Sequence, residues 1–178
     1  SKQLNAADSN VLDGEGDVYH ISGLAWRSRH GCDDVDLKKE FREIFSPCAA
    51  AAMYRRDAFC DVNGFDEDFF CYMEDVDLGF RLRLRGYRCL YVPDSVVYHV
   101  GAATTGHRHS EFTVYHGHRN LVWTYVKNMP GFLFWLLLPV HLGLNIVTCV
   151  FFSLMGQGRI ILKAKLDAIK GIRKVWVK

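Results

Sequence analysis

Three carboxylates within four positions, Glu74, Asp75 and Asp77, open the stretch "MEDVDLGFRLRLRGY". A carboxylate at the first turn of a helix meets unpaired backbone N–H groups and the positive end of the helix dipole. It stays ionised near neutral pH and can serve as a general base or a metal ligand. Acids at a helix start also occur simply to stabilise the helix, so spacing alone leaves both readings open. The approach to this turn is rich in rings: Phe65, Phe69, Phe70 and Tyr72. A solvated helix start has no need of them, whereas a substrate-lined pocket does.

Five histidines fall at 99, 107, 109, 116 and 118. The H-x-H pairs at 107/109 and 116/118 match no zinc-site spacing and read as solvated positions. His99 differs, because it ends an apolar run just before Gly101. Polar groups at the C-terminal ends of strands are where α/β sites collect. Arg119 has a planar fork suited to phosphate or carboxylate, or to an acid partner within the fold. The chain has no Gly-rich dinucleotide or P-loop pattern, no nucleophile elbow and no C-x-x-C. Basic residues interleaved with aromatics occur only in the tail, so nucleic acid is not an expected partner.

The elements that must position these residues are partly legible. For Glu74–Arg85 the strict apolar/basic alternation argues a strand. Good helix formers, acids first and arginines last, and Gly86 at a C′ position argue a helix, which is the reading taken. "RRDAFCDV" reads as a short helix stopped by Asn63-Gly64, and "FDEDFF" as a loop. "DVDLKKEFREIF" reads as a short helix, and Met53-Tyr54 as part of a strand. "YRCLYV" and "SVVYHV" read as strands hinged at Pro93-Asp94. Residues 101–120 read as a loop entering a helix that runs to about Lys127.

The 178 residues suffice for a domain with a real core. The net charge of +2 hides an asymmetry, because the segment from Gly156 onward holds seven Lys/Arg and one acid. Residues 130–155 hold no Lys, Arg, Asp or Glu and are long enough to cross a bilayer. Pro139, His141 and Asn145 are awkward at mid-bilayer. In the tail, Leu162, Leu166, Ile169 and Trp176 recur at helical spacing among lysines, the pattern of a basic amphipathic helix on anionic lipid. The N-terminal residues have no apolar signal core, and the six cysteines read as reduced, buried thiols of a cytosolic compartment.

Taken together, "AAMYRRDAFCDVNGFDEDFFCYMEDVDLGFRLRLRGYRCLYVPDSVVYHVG", "HRN" at 118–120 and the apolar C-terminal segment resemble family 2 glycosyltransferases, with rhamnosyltransferase-like members the nearest in pattern. The resemblance is strongest over residues 47–128. It implies an α/β fold: the later, C-terminal part of a GT-A (Rossmann-like) domain over 1–128, then an apolar and a basic amphipathic helix over 129–178. It further implies inverting transfer from a nucleotide-diphosphate sugar to a hydroxyl acceptor, saccharide or lipid-linked, in cell-surface polysaccharide or glycolipid synthesis. Asp75 falls at the base position, with Glu74 orienting the acceptor. Phe65, Asp66, Phe69, Phe70 and Tyr72 would bind the acceptor and Arg119 the diphosphate. His99 falls where some related enzymes place a ligand to Mg²⁺ or Mn²⁺.

The family's nucleotide-binding strand and Asp-x-Asp ligands are absent from these residues. The expectation is therefore an acceptor-and-base portion, inactive alone, at the cytoplasmic face of a membrane as a peripheral or single-span protein. A non-catalytic binding or scaffold module on the same fold is the competing expectation.

Overall fold

A computed structural model of the chain describes residues 1–34, 40–101 and 110–176. The fold is α/β and divides into two compact units. The first comprises Ser1–Tyr19, Ala25–Glu67 and Asp75–Ala103; the second comprises His20–Leu24, Asp68–Glu74 and Thr104–Lys178.

In the first unit, β1 (Lys2–Asn5) is the centre of a three-stranded sheet. It pairs antiparallel with β2 (Leu12–Gly14) and parallel with β7 (Val96–His99), with Asn5 opposite His99. Two antiparallel pairs complete the strands: β3 (Asp17–Tyr19) with β4 (Ala25–Arg27), and β5 (Arg42–Ile44) with β6 (Cys89–Tyr91). The helix expected across "DVDLKKEFREIF" is not seen at its described end. Residues 35–39 lie outside the described residues, and Arg42–Ile44 form β5 instead. Its outward Glu43 pairs with Arg83 at 2.9 Å, so alternation across a two-stranded ribbon replaces the helical period. Met53 is likewise not in a strand. Ala49–Ala51 make a short 3₁₀ turn, and Met53 is fully exposed just beyond it.

Helix α1 (Arg56–Asp61) stops at Asn63 and Gly64, both at positive φ. Helix α2 (Glu74–Leu84) is buried without a break from Val76 to Phe80. Its end has Tyr87 N–H bonded to Leu82 C=O and Gly86 at φ +85, the Schellman geometry. A helix surrounded on several sides carries no single apolar stripe, which explains why its sequence period reads ambiguously. Gly79 is the close-approach point, since a Cβ there would sit 2.2 Å from Ser46 Cβ. Leu78 and Leu82 pack with Ala58 and Val62, while the rings of Tyr19, Phe45 and Phe80 meet at 5.0–5.4 Å.

The second unit is three helices with the segments His20–Leu24 and Asp68–Glu74. Helix α3 (Glu111–Asn128) starts at Ser110, whose hydroxyl accepts from Thr113 N–H. Helix α4 (Gly131–Phe152) and helix α5 (Gly158–Trp176) follow, joined by a π-turn with Gly156 at φ +81. Trp123 of α3 packs with Phe69, Ala168 and Val175, and its indole N–H donates to Ala168 C=O at 2.9 Å. Gly171 lets α5 approach, because a Cβ would lie 2.4 Å from the Trp123 ring.

All six cysteines are free. The expectation that they are buried holds for Cys48 but not for Cys32 and Cys60, which sit exposed in turn and helix-end positions where small residues need no cover.

Candidate active site

Asp75 opens the buried helix α2 with both oxygens engaged by backbone. Ala49 N–H donates to Oδ2 at 3.1 Å and Val76 N–H to Oδ1 at 2.9 Å. The run of small residues after Cys48 allows that approach. Burial raises the Asp75 carboxyl above the ordinary carboxylate range, while the two N–H groups and the nearby Arg27 guanidinium pull the other way. This balance suits a base: desolvated enough to want a proton, and oriented by donors it cannot displace.

The third acid has a different job. Asp77 is fully buried, and its Oδ2 accepts from Arg81 Nε at 2.9 Å and Nη2 at 2.7 Å. Arg81 continues to the carbonyls of Val62 and Gly64. Asp77 is thus the anchor by which α2 holds the loop after α1, and it is not available to substrate.

Around β2 lies a second constellation that reading the sequence missed. Asp13 is 6% exposed and accepts from Arg27 and from His99 Nδ1, the latter at 2.8 Å, while its own carbonyl meets His30 Nδ1 at 2.8 Å. Arg27 lies across Gly14, where a Cβ would stand 2.2 Å from its Cγ. The available signal was the alternation of Asp13, Glu15 and Asp17 with glycines, which places three acids on a buried ribbon that needs cationic partners. Glu15 takes Arg29, Arg42 and the Tyr91 hydroxyl in the same way.

His99 keeps one ring nitrogen on Asp13, an arrangement that in metal sites orients the other nitrogen toward the ion. Among the described residues, however, no three His, Cys, Asp or Glu side chains are arranged so that they could hold a metal ion. These residues do not by themselves fit a divalent cation. His107 and His109 lie outside the described residues.

Of the ring residues expected at the acceptor, Phe65 belongs to the first unit, half-exposed and edge-on to Tyr54 and Phe59. Asp66 is partly buried in the same unit. In the second unit, Phe70 is 74% exposed beside Phe112 and His116. The Tyr72 hydroxyl meets Thr113 Oγ1 at 3.1 Å. Phe69 departs from the expectation: it is fully buried against Trp123, a core ring rather than a wall. Glu74 groups with this second unit.

Arg119 was expected at a diphosphate, but its donors are directed elsewhere. Nη2 bonds the carbonyls of Phe69 at 3.0 Å and Asp68 at 3.3 Å, and the guanidinium carbon stands 4.3 Å from the Trp123 ring. Its Nε donates to Asn120 Oδ1 at 2.9 Å. Asn120, fully buried, donates from Nδ2 to the carbonyls of Phe69, Cys71 and Tyr72 at 2.8–2.9 Å. The pair clamps a loop in which Phe70, Tyr72 and Met73 all have φ of +62 to +68.

A family model described as glycosyl transferase family group 2 matches residues 27–157. The N-acetylglucosaminyl-diphospho-decaprenol L-rhamnosyltransferase of Mycobacterium tuberculosis (strain ATCC 25618 / H37Rv) is 54% identical over 54 residues, 30% of this chain and 18% of that protein. Rhamnosyltransferase WbbL of Escherichia coli (strain K12) is 51% identical over 47 residues, 26% of this chain and 18% of that protein. The matched stretch thus spans under a fifth of either relative. No solved structure matches the chain.

Proposed function

The chain belongs to glycosyl transferase family group 2, and from that membership we propose that it supplies the general base of an inverting glycosyltransferase. The relatives' names support L-rhamnose as the transferred sugar, and one of them supports a lipid-linked sugar acceptor; the donor in this reading is a nucleotide-diphosphate sugar. The observation that carries the reading is Asp75, a desolvated carboxylate oriented by two backbone N–H groups at the start of a buried helix.

In the proposed step, Asp75 takes the proton of an acceptor hydroxyl as that oxygen bonds to the anomeric carbon. The bond from that carbon to the diphosphate oxygen breaks, and its electron pair leaves with the nucleoside diphosphate. Attack opposite the leaving group inverts the anomeric centre. Arg27 favours the charged form of Asp75 and is itself positioned by Asp13. A divalent cation would help neutralise the leaving diphosphate. The described residues do not form its site. Arg119 and Asn120 act as positioning residues for the loop that they clamp, a role that needs no contact with substrate. The helices α4 and α5 associate with a membrane surface, at its cytoplasmic face, where a lipid-linked acceptor is within reach.

The test is product formation by the full-length protein. It is incubated with nucleotide-diphosphate L-rhamnose and a polyprenyl-diphosphate N-acetylglucosamine, and the new anomeric configuration is read by NMR. A rhamnosylated lipid inverted relative to the donor supports the proposal. Retention of configuration, or binding of both substrates without transfer under any divalent cation, refutes it.

A further inference from the structure

Helix α4 is long and apolar enough to cross a bilayer and most of its surface is exposed, yet both its ends and its midpoint are held within the second unit. Its first turns meet the end of α3: Tyr125 donates to Phe134 C=O at 2.7 Å and the two rings stand 5.4 Å apart. Its midpoint is held as well, with His141 stacked on Tyr125 at 3.9 Å. His141 Nδ1 lies 2.8 Å from the Ser22 carbonyl, in the polar segment His20–Leu24, and Gly23 leaves the room for it. Its last turn returns to the start of α3, where Phe152 packs with Val114 and stands 4.8 Å from the His118 ring. Helix α5 then runs back along α4, from Ile161 beside Phe152 to Trp176 at 5.3 Å from Phe134.

The spacing of the sequence agrees with this packing. Phe134, His141, Asn145, Thr148 and Phe152 recur at intervals of seven, four, three and four, one stripe of a helix. Two of the polar residues that weaken α4 as a span, His141 and Asn145, therefore share the stripe whose Phe134, His141 and Phe152 meet α3. If α4 crossed a hydrocarbon core of about 30 Å, the helices held at both its ends would be drawn in with it. Those helices carry Arg119 and Lys127 on α3, Lys174 in its ion pair with Asp68, and Lys163, Lys165 and Asp167 on α5. Charged groups at that depth are expensive.

The opposite side of α4 is apolar and open: Trp135 is 67% exposed, Ile146 65% and Val150 55%. Helix α5 has two apolar stripes. Ile161, Ala164, Ala168 and Val175 are buried, whereas Leu162, Leu166, Ile169 and Trp176 are exposed among the exposed cations Lys163, Lys170 and Arg173. Apolar side chains bordered by cations fit the boundary between acyl chains and anionic headgroups.

We propose that α4 and α5 lie in the plane of an anionic bilayer surface, entering one leaflet only, so that the segments before and after α4 stay on the same side. This rests on the membrane association proposed above, and the two are tested separately. The association is read by sedimenting the full-length protein with phosphatidylglycerol/phosphatidylcholine vesicles. Binding should weaken about tenfold for Ile146→Glu, and should fall with salt. Vesicle-independent dimerisation through the same residues overturns the association and the proposal with it.

Topology is read in sealed membrane vesicles, right-side-out and inside-out, of cells expressing full-length protein with one cleavable epitope in the exposed turn at Asp8 and another in the exposed turn Ser153–Gln157 between α4 and α5. In-plane helices predict that protease removes both epitopes to the same extent, or spares both, in each vesicle orientation. Removal of one with protection of the other until detergent is added means that α4 crosses, which overturns the proposal while leaving the association standing.

Discussion

Asn120→Leu is the substitution that most directly probes the clamp on the loop Asp68–Glu74. The side chain keeps the branching at Cγ but is larger, so some overpacking accompanies the loss of the amide. Its Nδ2 serves three carbonyls, those of Phe69, Cys71 and Tyr72. Phe69 C=O keeps Arg119 Nη2 at 3.0 Å, so its loss is partial. A buried carbonyl left without a donor costs about 1–3 kcal/mol. Cys71 and Tyr72 are only partly buried, so water can compensate in part. Three residues at positive φ, each costing about 1 kcal/mol or more, also lose the contact that holds them. The loop can then relax, which caps the net loss at about 2–4 kcal/mol. For a chain of this size that is roughly 5–15 °C in Tm. The assay is thermal and urea unfolding of the full-length protein, with limited proteolysis mapping cleavage. New cleavage should concentrate between Asp68 and Glu74. Asn120→Asp discriminates further, because it places a carboxylate against three carbonyl oxygens and should be worse than leucine. A loss under about 1 kcal/mol, or Asp tolerated better than Leu, refutes the clamp.

Two further predictions concern the base and the helix packing. Arg27→Met removes the cation that favours ionised Asp75. The carboxyl then holds its proton to higher pH, so the acid limb of kcat/KM moves up in pH while Arg27→Lys leaves it nearly in place; an unmoved limb in Arg27→Met contradicts the coupling. Gly171→Ala drives a Cβ into the Trp123 ring, 2.4 Å away, and should destabilise by about 1–3 kcal/mol in urea titration; an unchanged midpoint would mean that α3 and α5 do not pack this closely.

Much of the architecture was legible because it rests on local signals. Asn63-Gly64 and Gly86 both mark helix ends at positive φ, and the helices after residue 110 follow from composition and capping. The strand Arg42–Ile44 was not, since three residues are too few to show a period and their partner lies more than forty positions away. The site was legible only in part. Asp75 could be picked out from its motif, but Arg27, which acts on it, and Asp13, which holds Arg27, come from a distant hairpin and strand that no spacing connects to it. Arg119 illustrates the opposite error. Its residue type suits a phosphate, yet a nearby loop of strained backbone supplies carbonyls that take its donors first. In the tail, spacing found the exposed stripe of α5. The buried stripe, made largely of alanines, carries too little hydrophobic signal to be noticed.

The role of Asp75 is read most directly by comparing transfer rate and stability of Asp75→Asn with the parent in the full-length protein. Because burial raises the Asp75 pKa in the folded state, its ionised form opposes folding, and this cost appears as pH rises above the ordinary carboxylate range. Asparagine removes that charge and still offers one oxygen to Ala49 N–H or Val76 N–H. A base role for Asp75 predicts a Tm at pH 7.5 equal to or above that of the parent, unchanged donor affinity, and a kcat lower by about 10²–10⁴-fold. Near-parental kcat would contradict the assignment of Asp75 as the base, and a large loss of Tm would show that its carboxylate holds the fold rather than the reaction.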